Sequence, residues 1–510
     1  MPDPHVHTPA GSVRGRTESG TAVFRGIPFA APPVGDLRFA APVPPREWSG
    51  ILDAGQSGPA VPQSPMGPVV PPSRPDDGRG WLTLDVWTPR PDPGAGLPVM
   101  VWIHGGAYRA GDPGDPGYDG GRLARAGDVV VVTFHHRVGM EGFARIEGAP
   151  DNRGLLDDLA ALRWVQESIT AFGGDPGRVT VFGESAGAGA IAALLAMPAS
   201  AGLFGRAITQ SVPGTFFTPQ LAADFTARVA ADLGRSPDRE SLAAVEPDAL
   251  AAAGDTTATR MREWVGTWGP VAHNPTPYSP VVDGEILPTT PWRALRAGAG
   301  RGVELIAGHN RDEFRLFVAM AGMLGAVPEE LAETTVRALA PDPAAFRAAF
   351  PAAGPSELFE RVKSDWLFRM PSLRLAEEHV RGGGRAHVYE LTMAAPAAGG
   401  ALGACHALDV PLVFGNFDGG PMITQLLGEE PPGTVRAVST AMQRAWTAFA
   451  RHGDPGWPAW DDDGRATWLV DAPPAVAAYP EEVSRRLWAE HEFAPSPLLA
   501  GDALPSTQLR

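Results

Sequence analysis

Five residues, Gly183-Glu184-Ser185-Ala186-Gly187, constrain the fold of this 510-residue chain more than any other stretch. A β-branched run, Val179-Thr180-Val181-Phe182, precedes them, and an alanine-rich helical stretch, residues 188–195, follows. A strand that passes into a helix through so short a turn has a strained backbone. A Cβ two residues before or after the serine would strike neighbouring backbone, which explains a glycine at both places. The turn lifts the serine hydroxyl clear of the sheet and sets it at a helix N-terminus, where exposed N–H groups favour developing negative charge. The pattern predicts acyl transfer by a serine nucleophile. The bland alternative is a glycine-rich turn with a surface serine, in a chain that holds 61 glycines. The surrounding sequence has to decide between them.

Strand-like apolar runs occupy residues 97–103, 129–134, 179–182, 303–308 and 386–391. The continuous apolar character of 129–134 suits a central strand covered on both faces. Between them lie helical patterns. Residues 152–172 carry Leu155, Leu156, Leu159, Leu162 and Val165 at helical spacing. This alternation predicts an α/β fold, a mostly parallel central sheet flanked by helices. Residues 57–80, rich in Pro, Gly and Ser, read as a long surface loop. Residues 220–265 and 320–380 look mainly helical and are read as cap insertions within a single domain, 1–510. The stretch from about residue 496 reads as a tail.

The chemistry beside the serine follows the same logic. Trp102-Ile103-His104-Gly105-Gly106-Ala107-Tyr108 comes directly after a strand. Residues without bulky side chains let backbone N–H groups approach a tetrahedral oxyanion, and the Ala186 N–H is a further donor. A serine also needs a base and the base an orienting acid, in the chain order serine, acid, histidine for this arrangement. Asp312 and Glu313, after the strand at 303–308, are both candidates for the acid. Adjacent residues point in different directions, so only one can meet the histidine. His406, after the strand at 386–391, is the candidate base. His104 reads as structural, and His135 with His136 lacks a third ligand at metal-site spacing. His273, His309, His379, His387 and His452 read as surface or supporting residues. Cys405 is not read as a nucleophile, because a sequence neighbour rarely pairs productively with a base.

Composition excludes other classes. The net charge of −16, with no Lys/Arg run, argues against a nucleic-acid partner. No apolar run approaches the ~20 residues of a membrane span. A single cysteine, Cys405, rules out an internal disulfide and suits a reducing compartment. The N-terminus has neither the basic nor the apolar region of a signal peptide, so the expected location is cytoplasmic.

The chain resembles the type-B carboxylesterases, the family of cholinesterases and bacterial para-nitrobenzyl esterases. Besides the elbow and the Trp102 to Tyr108 stretch, the resemblance is carried by Phe24-Arg25-Gly26-Ile27-Pro28-Phe29-Ala30, Gly154-Leu155-Leu156-Asp157, Phe172-Gly173-Gly174-Asp175-Pro176, Asn310-Arg311-Asp312-Glu313 and Gly453-Asp454-Pro455. It spans roughly residues 10–480. It implies the α/β-hydrolase fold, a Ser185-Glu313-His406 triad and an oxyanion hole of Gly106, Ala107 and Ala186. It places Glu184 beside the nucleophile as an electrostatic tuner, and selects Glu313 over Asp312. A small-molecule ester is the implied substrate, with no metal or organic cofactor. Many relatives close a loop with cysteine before the strand at Leu84-Asp85-Val86. Here Gly80-Trp81-Leu82-Thr83 stands there without one, and Trp81 is not assigned to a choline site. Loops of this Gly-Gly type are also expected to leave room for esters of tertiary alcohols. The intact triad weighs against a non-catalytic adhesion or binding protein on the same fold. An acyltransferase or amidase would use the same triad and is the remaining alternative.

Overall fold

The computed structural model describes residues 3–65 and 80–499. Most of the expected loop at 57–80 and of the tail after 496 therefore lies outside the described residues. The main sheet is built from Arg16–Glu18 (β1), Thr21–Pro28 (β2), Thr83–Thr88 (β3), Leu97–Ile103 (β4), Val130–Phe134 (β5), Gly174–Glu184 (β6), Arg206–Gln210 (β7), Glu304–Asn310 (β8), Arg385–Leu391 (β9), Ala466–Val470 (β10) and Ala475–Ala478 (β11). Their spatial order is β1-β2-β3-β5-β4-β6-β7-β8-β9-β10-β11. From β5 to β10 all neighbours are parallel. Both edges are antiparallel. A small second sheet joins His5–Thr8, Gly11–Arg14 and Ile51–Asp53.

Every residue of β4 and β5 is buried. Helices cover both faces, so alternation of apolar and polar residues is not required there. This is the mostly parallel sheet flanked by helices that the strand and helix alternation called for, in the α/β-hydrolase fold that the resemblance implied. The apolar stripe at 152–172 becomes a helix, Arg153–Ser168, followed by a 3₁₀ turn, Ile169–Phe172. Leu155, Leu159, Leu162 and Val165 are buried under the sheet, and Leu156 is at the margin.

One correction concerns the segment expected as a surface loop. Residues 58–63 are buried, because Gln63 bonds the backbone of Gly111 in both directions, at 3.0 and 2.7 Å. The Pro-rich stretch is drawn inward by backbone groups that need partners and by Val61, which packs with Trp81 and Val138. The helices Pro219–Asp232, Arg239–Ala243 and Pro247–Ala258 follow β7, and Glu329–Leu339, Pro343–Ala349 and Pro355–Ser364 follow β8. Met370–Arg381 instead packs on β8 and β9. Leu499 N–H donates to Thr267 O at 2.8 Å, so the last described residues are tied to the body. Among the described residues, no helix is long and apolar enough to cross a membrane.

Arg137, just after β5, is fully buried and meets Asp157 three times, through its N–H, Nε and Nη2 at 2.8–2.9 Å. Removing one partner strands a charge in the interior. Asp157→Asn is expected to lower the unfolding free energy by about 3–5 kcal/mol in urea titrations. A loss under about 1 kcal/mol would show that the pair does not anchor the layer.

Candidate active site

Ser185 sits between β6 and the helix Ala186–Ala196, with φ 56° and ψ −123°. That conformation is sparsely populated for any residue with a Cβ. Its N–H donates to Gln210 O at the end of β7, at 2.8 Å. The two elbow glycines are required sterically. A Cβ on Gly183 would lie 2.6 Å from Ile103 O, and one on Gly187 would collide with the same oxygen. The end of β4 therefore presses on the turn from below, and Ser185 is left half-exposed at its crest.

The same close approach sets the next loop beside the serine. Gly106 has φ 112°, and a Cβ there would run into Ala110 O. Ala107 and Tyr108 follow with φ 59° and 56°. Each carbonyl of this loop is engaged away from the serine. Gly105 O is met by His104 Nδ1 at 2.8 Å. Gly106 O accepts from the N–H groups of Arg109 and Ala110, both at 3.0 Å. Ala107 O accepts from Thr276 Oγ1 at 2.8 Å. Among the described residues, the N–H groups of Gly106, Ala107 and Ala186 have no backbone acceptor. A loop with carbonyls held outward and amides free is a set of donors waiting for an anion.

Glu313 and His406 meet across the mouth of β8 and β9. Glu313 Oε2 lies 2.6 Å from His406 Nδ1. Its Oε1 accepts from Ser211 Oγ at 2.6 Å and from Asn310 N–H at 2.8 Å. Asp312 turns the other way: its Oδ2 accepts from Ala404 N–H at 2.9 Å and its Oδ1 is 3.5 Å from Arg315. It steadies the loop that carries His406 without reaching the ring. The far nitrogen, His406 Nε2, is buried and has no hydrogen-bonding partner among the described residues. Glu184 Oε1 is 3.0 Å from it, but off the ring N–H axis, so the contact is electrostatic rather than a hydrogen bond.

Burial would by itself push the His406 imidazole down, but Glu184 and Glu313 outweigh it and bring it up to about 9. Burial likewise pushes the Glu184 carboxyl up, to about 8, with His406 opposing and Asp409 and Glu313 adding to the rise. The two titrate as a pair. Asp409, fully buried, is held by Gln210 Nε2 at 2.8 Å and Tyr389 OH at 2.9 Å. Gln210 thus serves the elbow with its backbone and this carboxylate with its side chain.

Ser185, His406, Glu184 and the Gly105 to Tyr108 loop line one cavity of about 1400 Å³, counting the space open to solvent. Its walls are mostly apolar, among them Leu316, Phe317, Met320, Leu367 and Phe368. Phe368 stacks on the His406 ring with centroids 4.2 Å apart, and Phe317 lies 5.3 Å away. Among the described residues, no arginine, lysine or tryptophan lines the cavity. Trp81 packs with Val61 and Val138 instead.

Sequence reasoning missed Gln63, Gln210, Thr276 and Phe368, all of which act on the site from distant segments and follow no local pattern. It also read several histidines as surface or supporting residues. His309, His379 and His387 are buried, and His309 Nε2 meets Tyr479 OH at 2.9 Å. Each sits inside the helix–sheet layers, where the apolar ring is covered. His135 meets Asp112 at 3.1 Å, and His136 stacks on His104 at 4.3 Å.

Known proteins resemble the chain over most of its length. The model of the carboxylesterase family matches residues 2–345. The chain is 36% identical to the para-nitrobenzyl esterase of Bacillus subtilis (strain 168), over 94% of this chain and 97% of that protein. It is 35% identical to the phenmedipham hydrolase of Pseudarthrobacter oxydans, over 95% of this chain and 99% of that protein. Among solved structures, a thermophilic para-nitrobenzyl esterase superposes with a TM-score of 0.83 at 35% identity, covering 95% of this chain and 100% of that one. The Geobacillus stearothermophilus carboxylesterase EST55 gives 0.82 at 34% identity, covering 95% of this chain and 99% of that one.

The electrostatics yield a direct test. Glu184→Gln removes one of the two carboxylates that raise the proton affinity of His406. The apparent pKa of the His406 ring, followed by NMR of its nitrogens, should fall by about one unit or more. An unchanged or higher value would mean that the second carboxylate is screened from the ring.

Proposed function

Given that the chain belongs to the carboxylesterase family and is a carboxylic-ester hydrolase, we propose that Ser185, His406 and Glu313 carry its reaction. Ser185 Oγ attacks the ester carbonyl. His406 Nε2 takes the serine proton and delivers it to the leaving alcohol. Glu313 holds the ring through Nδ1 and stabilises the imidazolium. The N–H groups of Gly106, Ala107 and Ala186 receive the oxyanion. Water, activated by His406, then cleaves the acyl-enzyme and frees Ser185. Glu184 tunes the protonation of His406 from the nucleophile's own turn. The observation that carries this reading is the convergence on one apolar cavity of a strained serine, a carboxylate-backed histidine and three unpaired amides. Among the described residues the lining carries the carboxylates Asp112, Asp115 and Glu184 and no arginine or lysine, which favours neutral esters over anionic ones. The helical insertions after β7 and β8 act as the cap, and the lone buried Cys405 suits a cytoplasmic setting.

Ser185→Ala should remove ester turnover by several orders of magnitude in kcat while the circular dichroism spectrum stays unchanged. A phosphonate probe should add once, at Ser185. Glu313→Gln should cost far more kcat than Asp312→Asn. Phosphonylation elsewhere, or the reverse order of damage in two folded variants, would overturn the assignment.

The outward carbonyls lead to a statement about the alcohol. An inward carbonyl oxygen would crowd a fully substituted carbon next to the ester oxygen. With Gly105 O, Gly106 O and Ala107 O all engaged elsewhere, the quaternary carbon of a tertiary alcohol has room. Slow hydrolysis of linalyl or tert-butyl acetate is expected above a Ser185→Ala blank. Enzyme that is active on a primary acetate but gives no such product would refute it.

A further inference from the structure

Lys363 is the only lysine in the chain, and it is 1% exposed. It lies on the helix Pro355–Ser364. Its Nζ donates to His273 O and sits 4.5 Å from the centre of the Phe314 ring and 5.7 Å from that of Trp366. The other basic side chains, histidine aside, are all arginines, and burying an ammonium costs free energy unless it is paired or hydrogen-bonded. Burial, with Arg262 adding to it, brings this amine down to about 7.

Its position shows what it can hold. His273 ends the 3₁₀ turn Gly269–His273, and Asn274, Pro275 and Thr276 continue directly into the cavity wall. Asn274 Nδ2 donates to Thr276 O at 3.2 Å, and Thr276 Oγ1 donates to Ala107 O at 2.8 Å. On the other side, Ser364 Oγ accepts from Phe314 N–H at 3.0 Å, and Phe314 follows Glu313. Two consecutive residues of one helix thus clamp both the acid's loop and the bracket of the amide loop.

We propose that Lys363 is a positioning residue for the oxyanion loop, acting through His273 O and the Thr276–Ala107 hydrogen bond. The proposal rests on the reading of Ser185 and the loop amides given above. Losing this amine donor frees the His273 turn, lets Thr276 drift from Ala107 O, and loosens the Ala107 amide where the oxyanion forms. The effect falls on the transition state, so it belongs in kcat rather than in KM.

Two measurements on the full chain test it. In kinetics with a p-nitrophenyl ester, Lys363→Met is expected to lower kcat about tenfold with KM within about twofold. Thr276→Val should also lower kcat, and the double variant should lose little more than the worse single one, because both act on one bond. Additive losses, or a change confined to KM, would overturn the proposal. The second measurement needs no variant. Lysine labelled with ¹³C at Cε gives a single side-chain signal from the wild-type protein, since there is one lysine. That signal should shift when a phosphonate bonds to Ser185. If Ser185 takes no phosphonate, the reading of the site fails. If it does and the lysine signal stays in place, the role of Lys363 fails alone.

Discussion

The contact between the Ile103 carbonyl and the turn around Ser185 is the constraint on which the rest of the site depends. β4 and β6 are parallel neighbours, and their ends come so close that neither Gly183 nor Gly187 can carry a side chain. That approach does two things at once. It forces the serine into a strained crest, and it delivers the residues after β4, the amide loop, to the serine's flank. The strained serine and the free amides beside it are thus products of one packing event. The strain is tolerated because Gln210, at the tip of the next strand, takes the serine N–H, and the helix behind begins at once.

The second organising fact is how the buried carboxylates near His406 are kept apart. Glu313, Glu184 and Asp409 all lie within the field of one imidazole. Glu313 is fixed by two donors besides the ring. Asp409 is fixed by Gln210 and Tyr389 and is pushed upward by burial. Glu184 is coupled to the histidine through charge alone. Burial alone would discharge the imidazole, but the two nearest carboxylates are close enough to reverse the sign. The ring is thereby made ready to hold a positive charge, as the role proposed for His406 requires, and Phe368 gives it an aromatic face to lie on.

Much of this was legible in the chain. The strands declared themselves through β-branched apolar runs, and the elbow through its two glycines, because both are local in sequence. The choice between Asp312 and Glu313 was not legible from the residues. They are adjacent, chemically alike, and separated only by which way β8's end turns. The resemblance to a known family pointed to Glu313, and the geometry places its carboxylate on the ring. Gln63, Gln210, Thr276 and Lys363 were invisible for a different reason. Each is a single polar side chain reaching a backbone group or carboxylate far along the chain, and no periodicity announces such a bond. The burial of His309 and His387 was missed because a histidine in a strand reads as polar until its ring is covered.

The far wall of the cavity shows the same principle at the level of a helix. Between Pro355–Ser364 and Met370–Arg381 the chain makes one π turn, Asp365–Arg369. A π turn rotates the following residues relative to an α-helix and leaves a carbonyl out of register. Here the neighbouring Leu367 carbonyl accepts from Gly214 N–H at 2.8 Å, and Leu367 and Phe368 both face the cavity. An uninterrupted helix would turn one of them away. The Asp365–Arg369 ion pair, nearly fully buried, spans this same turn and holds it. The wall that shapes the substrate and the ring that lies on His406 therefore come from one irregular turn, locked by charges that have no other route to solvent. A change in that turn would alter substrate fit and histidine environment together.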